Sequence, residues 1–189
     1  MKNICVFGSS SENIEKTYLE DAEALGEELV LRGYNVVFGA GKCGVMGAVS
    51  RGVRRKNGYL IGVSPELFEP MGVLEHDCSE LIITDTMRER KAVMEDRADA
   101  FVVCADGIGM FEEFFELLTL KQLQVHGKPI IVYNFNGYYD PMLEMMDHAI
   151  GNGFMISELN KLYTIAHSIG EVFEQLENYV PFTYNKYGV

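Results

Sequence analysis

Three short segments hold the residue types from which an active site could be assembled. Gly39-Ala-Gly-Lys-Cys-Gly44 has the spacing GxGxxG, and a Cβ at such positions would keep backbone N–H groups from approaching a phosphate. It follows the second strand-like run rather than the first, so it is not the usual dinucleotide fingerprint. A phosphate or sugar contact and a plain strand-to-helix turn both fit it. Asp106-Gly-Ile-Gly109 opens a helical run carrying Glu112, Glu113 and Glu116. Those carboxylates could stabilise positive charge on a substrate, or simply complement the helix dipole. Arg88-Glu-Arg-Lys91 stands at another helix start. Basic groups there oppose the dipole, which hints at a reason other than helix stability, although a solvated face is the bland reading.

The elements that must position these segments alternate. Apolar runs at Asn3–Phe7, Tyr34–Phe38, Tyr59–Val63, Leu81–Thr84, Ala100–Cys104 and Pro129–Tyr133 read as buried strands, with a short seventh at Tyr163–Ile165. Between them lie helical patterns at about 13–32, 45–56, 86–97, 110–124, 140–150 and 168–178. Asp85 is the expected N-cap of the third. Residues 66–79 have no regular pattern. Strand–helix alternation predicts an α/β Rossmann-like three-layer sandwich with a mostly parallel sheet, in one domain spanning 1–189. Ligands of such sheets bind beyond the carboxyl ends of the strands.

Composition narrows the function classes. The net charge is −12, which argues against a nucleic-acid polymer as partner. The four cysteines form no CxxC pair. Cys5 and Cys104 read as buried hydrophobes in a reducing compartment. His76, His126, His148 and His167 are scattered without ligand spacing, so neither a metal nor another cofactor is expected. No apolar run reaches the ~18 residues of a membrane span, and no signal peptide is evident, so the expected location is cytoplasmic. Met145, Met146 and Phe154 are candidates for a dimer face, indistinguishable at this point from core packing.

Met87-Arg-Glu-Arg-Lys91, followed by Ala105-Asp-Gly-Ile-Gly-Met-Phe-Glu-Glu113, resembles the signature pair of the lonely guy (LOG) family, M-x-x-R-K and PGGxGTxxE. Val6-Phe-Gly-Ser-Ser-Ser11, the stretch 39–47, His126-Gly-Lys-Pro129 and Asn136-Gly-Tyr-Tyr139 resemble further family segments in the same order, as far as about residue 157. The resemblance implies cytokinin-activating phosphoribohydrolases, long labelled lysine decarboxylases. These hydrolyse the N-glycosidic bond of a nucleoside 5′-monophosphate to free base and ribose 5-phosphate. It implies Glu113 and Arg90 as catalytic residues, with Glu113 stabilising the sugar cation or activating water and Arg90 orienting it. It places substrate against Gly8, Ser9, Gly41, Lys42, Met87 and Lys91, and its phosphate on the N–H groups of Gly107, Ile108, Gly109 and Met110. A small-molecule nucleotide or nucleoside and a second copy, forming a homodimer, are the implied partners. A decarboxylase would need a Schiff-base lysine with cofactor partners, for which Lys42 and Lys91 have no setting.

The phosphate segment departs from the motif. Its Pro, Gly and Thr are replaced by Ala105, Asp106 and Met110. A carboxylate about 5 Å from a phosphate dianion repels it by several kcal/mol at an effective dielectric near 20. Asp106 could point outward, be neutralised by Lys42, or cap the helix in place of phosphate. A non-catalytic nucleotide- or nucleoside-binding protein and a hydrolase of an unphosphorylated nucleoside are the alternatives this opens.

Overall fold

The computed structural model describes residues 2–182. Its strands are β1 Asn3–Phe7, β2 Asn35–Phe38, β3 Leu60–Pro65, β4 Glu80–Thr84, β5 Ala100–Val103, β6 Ile130–Tyr133 and β7 Thr164–Ala166. All pair in parallel in the order β4-β3-β2-β1-β5-β6-β7. The helices are α1 Lys16–Leu31, α2 Gly44–Arg55, α3 Met87–Arg97, α4 Ile108–Gln122, α5 Asp140–Gly151 and α6 Ile169–Glu177.

Parallel strands covered on both faces must be apolar on both. β1 shows it: Ile4 and Val6 point into one core while Cys5 and Phe7 point into the other. The first core is closed by Leu25 and Leu29 of α1, Val49 and Val53 of α2, and Phe173 of α6. The second is closed by Met94 of α3, Phe114 and Leu117 of α4, and Met146 of α5. Among the described residues three helices therefore cover each face, in keeping with the expected layers on both sides, and every strand pair of the sheet is parallel rather than most of them.

The strand order reverses at β1, whose neighbours are β2 and β5. The chain leaving β1 turns to α1 on one face, and the chain leaving β5 turns to α4 on the other. Such a divergence opens a crevice beyond the strand ends. The irregular stretch after β3 contains a 3-10 turn, Glu66–Met71, and then returns to bridge Gly41 through Leu74. It forms a third wall over that crevice.

One cap differs from expectation. Thr86, not Asp85, is the N-cap of α3. The Glu89 N–H donates to Thr86 Oγ1, and the Glu89 carboxylate accepts from the N–H groups of both Thr86 and Asp85. The hydroxyl one position later completes a capping box with Glu89 three residues on, which Asp85 is too far upstream to do.

Candidate active site

Arg90 and Glu113 meet at the base of the crevice. Arg90, on the first turn of α3, is 8% exposed, and Glu113, on α4, is 9% exposed. Arg90 Nη1 donates to Glu113 Oε1 at 3.0 Å, and its Nε donates to the Val63 carbonyl of β3 at 3.1 Å. The guanidinium is thus fixed from two sides, by a strand end and by the carboxylate. Gly39 makes room for it, since a Cβ there would stand 2.0 Å from Arg90 Nη2.

Burial pushes the Glu113 carboxyl up to about 7. Arg90 opposes the rise, while the charges of Asp106 and Glu112 add to it. Desolvation outweighs the ion pair because the guanidinium touches one oxygen only. The result is a carboxyl that exchanges its proton near neutrality, the range in which a general base or acid works best.

The pair opens into a cavity of about 580 Å³. Gly8, Ser10 and Glu12 line it from the loop after β1, and Gly39, Gly41 and Cys43 from the loop after β2. Phe68, Met71, Val73 and Leu74 form an apolar wall, with Met46 and Met87 beside them. Asp106, Gly109 and Glu112 complete it from the loop after β5 and the start of α4. Among the described residues, its charged lining is four carboxylates, Glu12, Asp106, Glu112 and Glu113, against one cation, Arg90.

Hydrogen bonds from downstream hold the loop after β5 in place. Tyr139 donates its hydroxyl to the Cys104 carbonyl and Tyr138 donates to the Asp106 carbonyl, each at 2.7 Å. Asn134 steadies Tyr139 by accepting its N–H at 2.7 Å. Asp106 folds onto its own loop, with its Oδ1 accepting the Gly107 N–H at 2.7 Å. The first bond within α4 runs from the Phe111 N–H, so the N–H groups of Ile108, Gly109 and Met110 have no partner within the helix.

The structure divides the expected substrate residues. Gly8, Gly41, Met87, Arg90, Asp106, Gly109 and Glu113 line the cavity together. Ser9, Lys42, Lys91, Gly107, Ile108 and Met110 do not. Ser9 shapes the first loop, its Oγ accepting from the Ser11 N–H and its carbonyl from the Met46 N–H. Lys42 is exposed, so it does not neutralise Asp106 within the cavity. Lys91 pairs with Glu112 and Glu116 along the side of α4. Ile108 is 84% exposed on the outer surface, whereas Met110 is fully buried in the core.

Sequence reasoning missed the apolar wall, Glu12 and Cys43. The signal for the wall was Leu67, Phe68, Met71, Val73 and Leu74 in a segment without periodicity, apolar residues that neither helix nor strand could bury. Cys43 donates its thiol to Glu12 Oε1 at 3.0 Å, a contact between two loops 31 residues apart that no local pattern reveals. Among the described residues there is no cluster of three His, Cys, Asp or Glu able to hold a metal.

Comparison with known proteins finds relatives over most of the chain. Residues 46–176 match the model of a family described as possible lysine decarboxylase. The chain is 36% identical over 180 residues to cytokinin riboside 5′-monophosphate phosphoribohydrolase LOG2 of Arabidopsis thaliana, covering 95% of this chain and 84% of that protein. It is 37% identical over 180 residues to the phosphoribohydrolase LOG of Oryza sativa subsp. japonica, covering 95% and 74%. Among solved structures, the molybdenum cofactor binding protein of Rippkaea orientalis superposes with a TM-score of 0.71 at 23% identity, covering 93% of this chain and 95% of that one. The molybdenum cofactor carrier protein of Chlamydomonas reinhardtii gives 0.70 at 19% identity, again covering 93% and 95%. At those identities the two structures show a shared fold.

Proposed function

This chain belongs to the LOG family, and we propose from that premise that it hydrolyses the N-glycosidic bond of a nucleoside 5′-monophosphate, releasing free base and ribose 5-phosphate. The observation that carries the reading is the buried Arg90–Glu113 pair at the base of the cavity. Cleaving this bond builds positive charge on the ribose ring. A carboxylate aimed at that ring stabilises the charge and draws a proton from the attacking water. Glu113, poised near neutrality, suits both tasks. Arg90 holds the Glu113 oxygen in place and presents its remaining N–H groups to a ribose hydroxyl or the base.

The phosphate lies at the start of α4, where Gly109 borders the cavity and the N–H groups of Gly107 through Met110 stand at the open end of the helix. Gly107 and Gly109 suit that role because a Cβ at either would meet no protein atom within 4 Å. Gly8, Gly41 and Met87 border the ribose and base, while Ser9 acts by shaping its loop. Lys42 and Lys91 reach the ligand only by long-range charge, since both lie outside the lining. The lack of a lysine among the described lining residues also speaks against the decarboxylase label, whose Schiff base would need one.

We read the chain as one domain, because a single sheet joins its strands, and as a homodimer. The support for the second copy is an apolar groove of about 970 Å³ between α4 and α5, lined by Phe111, Phe115, Met142 and Met145, with Ile108 at its edge. Met145 is 52% exposed and Phe154 88%, which leaves both available to such a face, whereas Met146 is fully buried in the core. Free thiols at Cys5, Cys43, Cys78 and Cys104 fit a reducing, cytoplasmic setting. No described helix is long and apolar enough to cross a membrane.

The test is product release from adenosine monophosphate. The protein is expected to yield adenine and ribose 5-phosphate, and Glu113→Ala to lower kcat/KM by about 10²–10⁴-fold. No product from the unaltered protein, or an unchanged rate in Glu113→Ala, overturns the reading.

A further inference from the structure

We propose that Asp106 is a specificity-determining residue: its carboxylate competes with the substrate's phosphate for the start of α4, and so weakens the preference for phosphorylated over unphosphorylated ribosides. This rests on the reading above, which takes the cavity to be a ribose phosphate site.

Three observations carry it. Asp106 lines the cavity and its Oδ1 accepts the Gly107 N–H at 2.7 Å. That donor belongs to the set at the open end of the helix that a phosphate would use. Next, the loop cannot carry the carboxylate away as a unit, because the Asp106 carbonyl is held by the Tyr138 hydroxyl at 2.7 Å. Only side-chain rotation can clear the donor.

Finally, the lining itself offers no unengaged cation to offset the charge, among the described residues. Arg90, the one cation of the described lining, is engaged by Glu113 and the Val63 carbonyl. Lys91 is engaged by Glu112 and Glu116. Glu12 and Glu112 add further negative charge around the same space. A phosphate therefore meets a carboxylate already seated on one of its donors, with little positive charge to favour the exchange. A neutral 5′-hydroxyl meets no such repulsion and can donate to the same carboxylate.

The experiment titrates ribose 5-phosphate and ribose separately into the unaltered protein, Asp106→Asn and Asp106→Gly, at low and high salt. Asparagine keeps an acceptor for the Gly107 N–H and removes only the charge. Glycine removes the competitor altogether. Both variants are expected to bind ribose 5-phosphate at least about tenfold more tightly at low salt, with no gain for ribose, whose 5′-hydroxyl loses an acceptor in the glycine variant. The gain is expected to shrink at high salt.

Equal or weaker binding of ribose 5-phosphate by the variants overturns the role of Asp106. So does a gain shared equally by ribose. If the protein hydrolyses adenosine monophosphate while neither variant shows the gain, the proposed activity stands and this inference falls. If no form binds either sugar and none hydrolyses the nucleotide, the ribose phosphate reading falls and takes this inference with it.

Discussion

At Gly39, an added Cβ would stand 2.0 Å from Arg90 Nη2; at Gly107 and Gly109 it would meet no protein atom within 4 Å. The loop after β2 and the loop after β5 are both glycine-rich, but the first spends its missing side chains on the protein itself. Gly44 has φ +61°, and a Cβ there would lie 2.4 Å from the Ser9 carbonyl oxygen. At Gly47, in the first turn of α2, an added Cβ would likewise stand 2.1 Å from the Lys42 carbonyl oxygen. This loop is thus a packing device that brings β1, β2 and α3 together around Arg90. The second loop leaves its glycine faces open beside the start of a helix. A GxGxxG spacing therefore does not by itself mark a phosphate site. The occupant of the missing Cβ decides, and here it is an arginine.

The sharpest way to break the comparison is Gly39→Ala. The methyl group must push the guanidinium off Glu113 or shift the strand end. The expected result is a loss of about 10²-fold or more in kcat/KM, since misplacing a catalytic group by an ångström costs that much. Losing Arg90 also removes the influence that holds the Glu113 carboxyl down, so the acidic limb of the pH–rate profile should move to higher pH. Activity within a few-fold of the unaltered protein, with an unmoved limb, would show that the loop after β2 does not position the arginine.

Glu113 sits between the two regions, and its titration gives the next test. Its folded value is about 7 against an ordinary 4.5, so the fold binds this proton more tightly than the unfolded chain does. The sign follows: the raised value favours folding below about pH 4.5, and that advantage is lost as pH rises through 7. Glu113→Gln removes the titration and keeps an acceptor for Arg90. It should leave stability unchanged near pH 4 and raise it by about 1–3 kcal/mol at pH 8, while abolishing turnover. Urea unfolding at the two pH values reads this directly. Equal stability changes at both would mean that burial does not strain the carboxylate.

The elements of this site were more legible in the sequence than their directions. Buried parallel strands announce themselves as unbroken apolar runs, so each strand was expected within a residue or two of its place. The Arg90–Glu113 pair was reached through family resemblance, and the local pattern alone left a solvated face as the plainer reading. Directions depend on packing partners far along the chain. Lys91 follows Arg90 by one residue, about 100° around the helix, so only one of the two could face the cavity. Nothing local decided which. Met110 replaces a residue expected at the ligand, yet its side chain fills the core beneath α4. The apolar wall escaped because its value lies in a return path over the crevice, fixed by the Gly41–Leu74 bridge rather than by any periodicity.

The smallest effect sharpens the comparison through its sign. Gly109 lies in the first turn of α4 with open space where a Cβ would be. Alanine there should not clash, and it relieves the entropic cost of a helical glycine, so Gly109→Ala should stabilise the fold by up to about 1 kcal/mol. Gly39→Ala, by contrast, should destabilise it. If the open space is the ligand's, the same methyl that helps the helix crowds the phosphate, and the KM for adenosine monophosphate should rise by several-fold with kcat little changed. A stabilised protein with unaltered KM would separate the open glycines from phosphate binding. A destabilised one would show that the second loop, like the first, is packed against the protein itself.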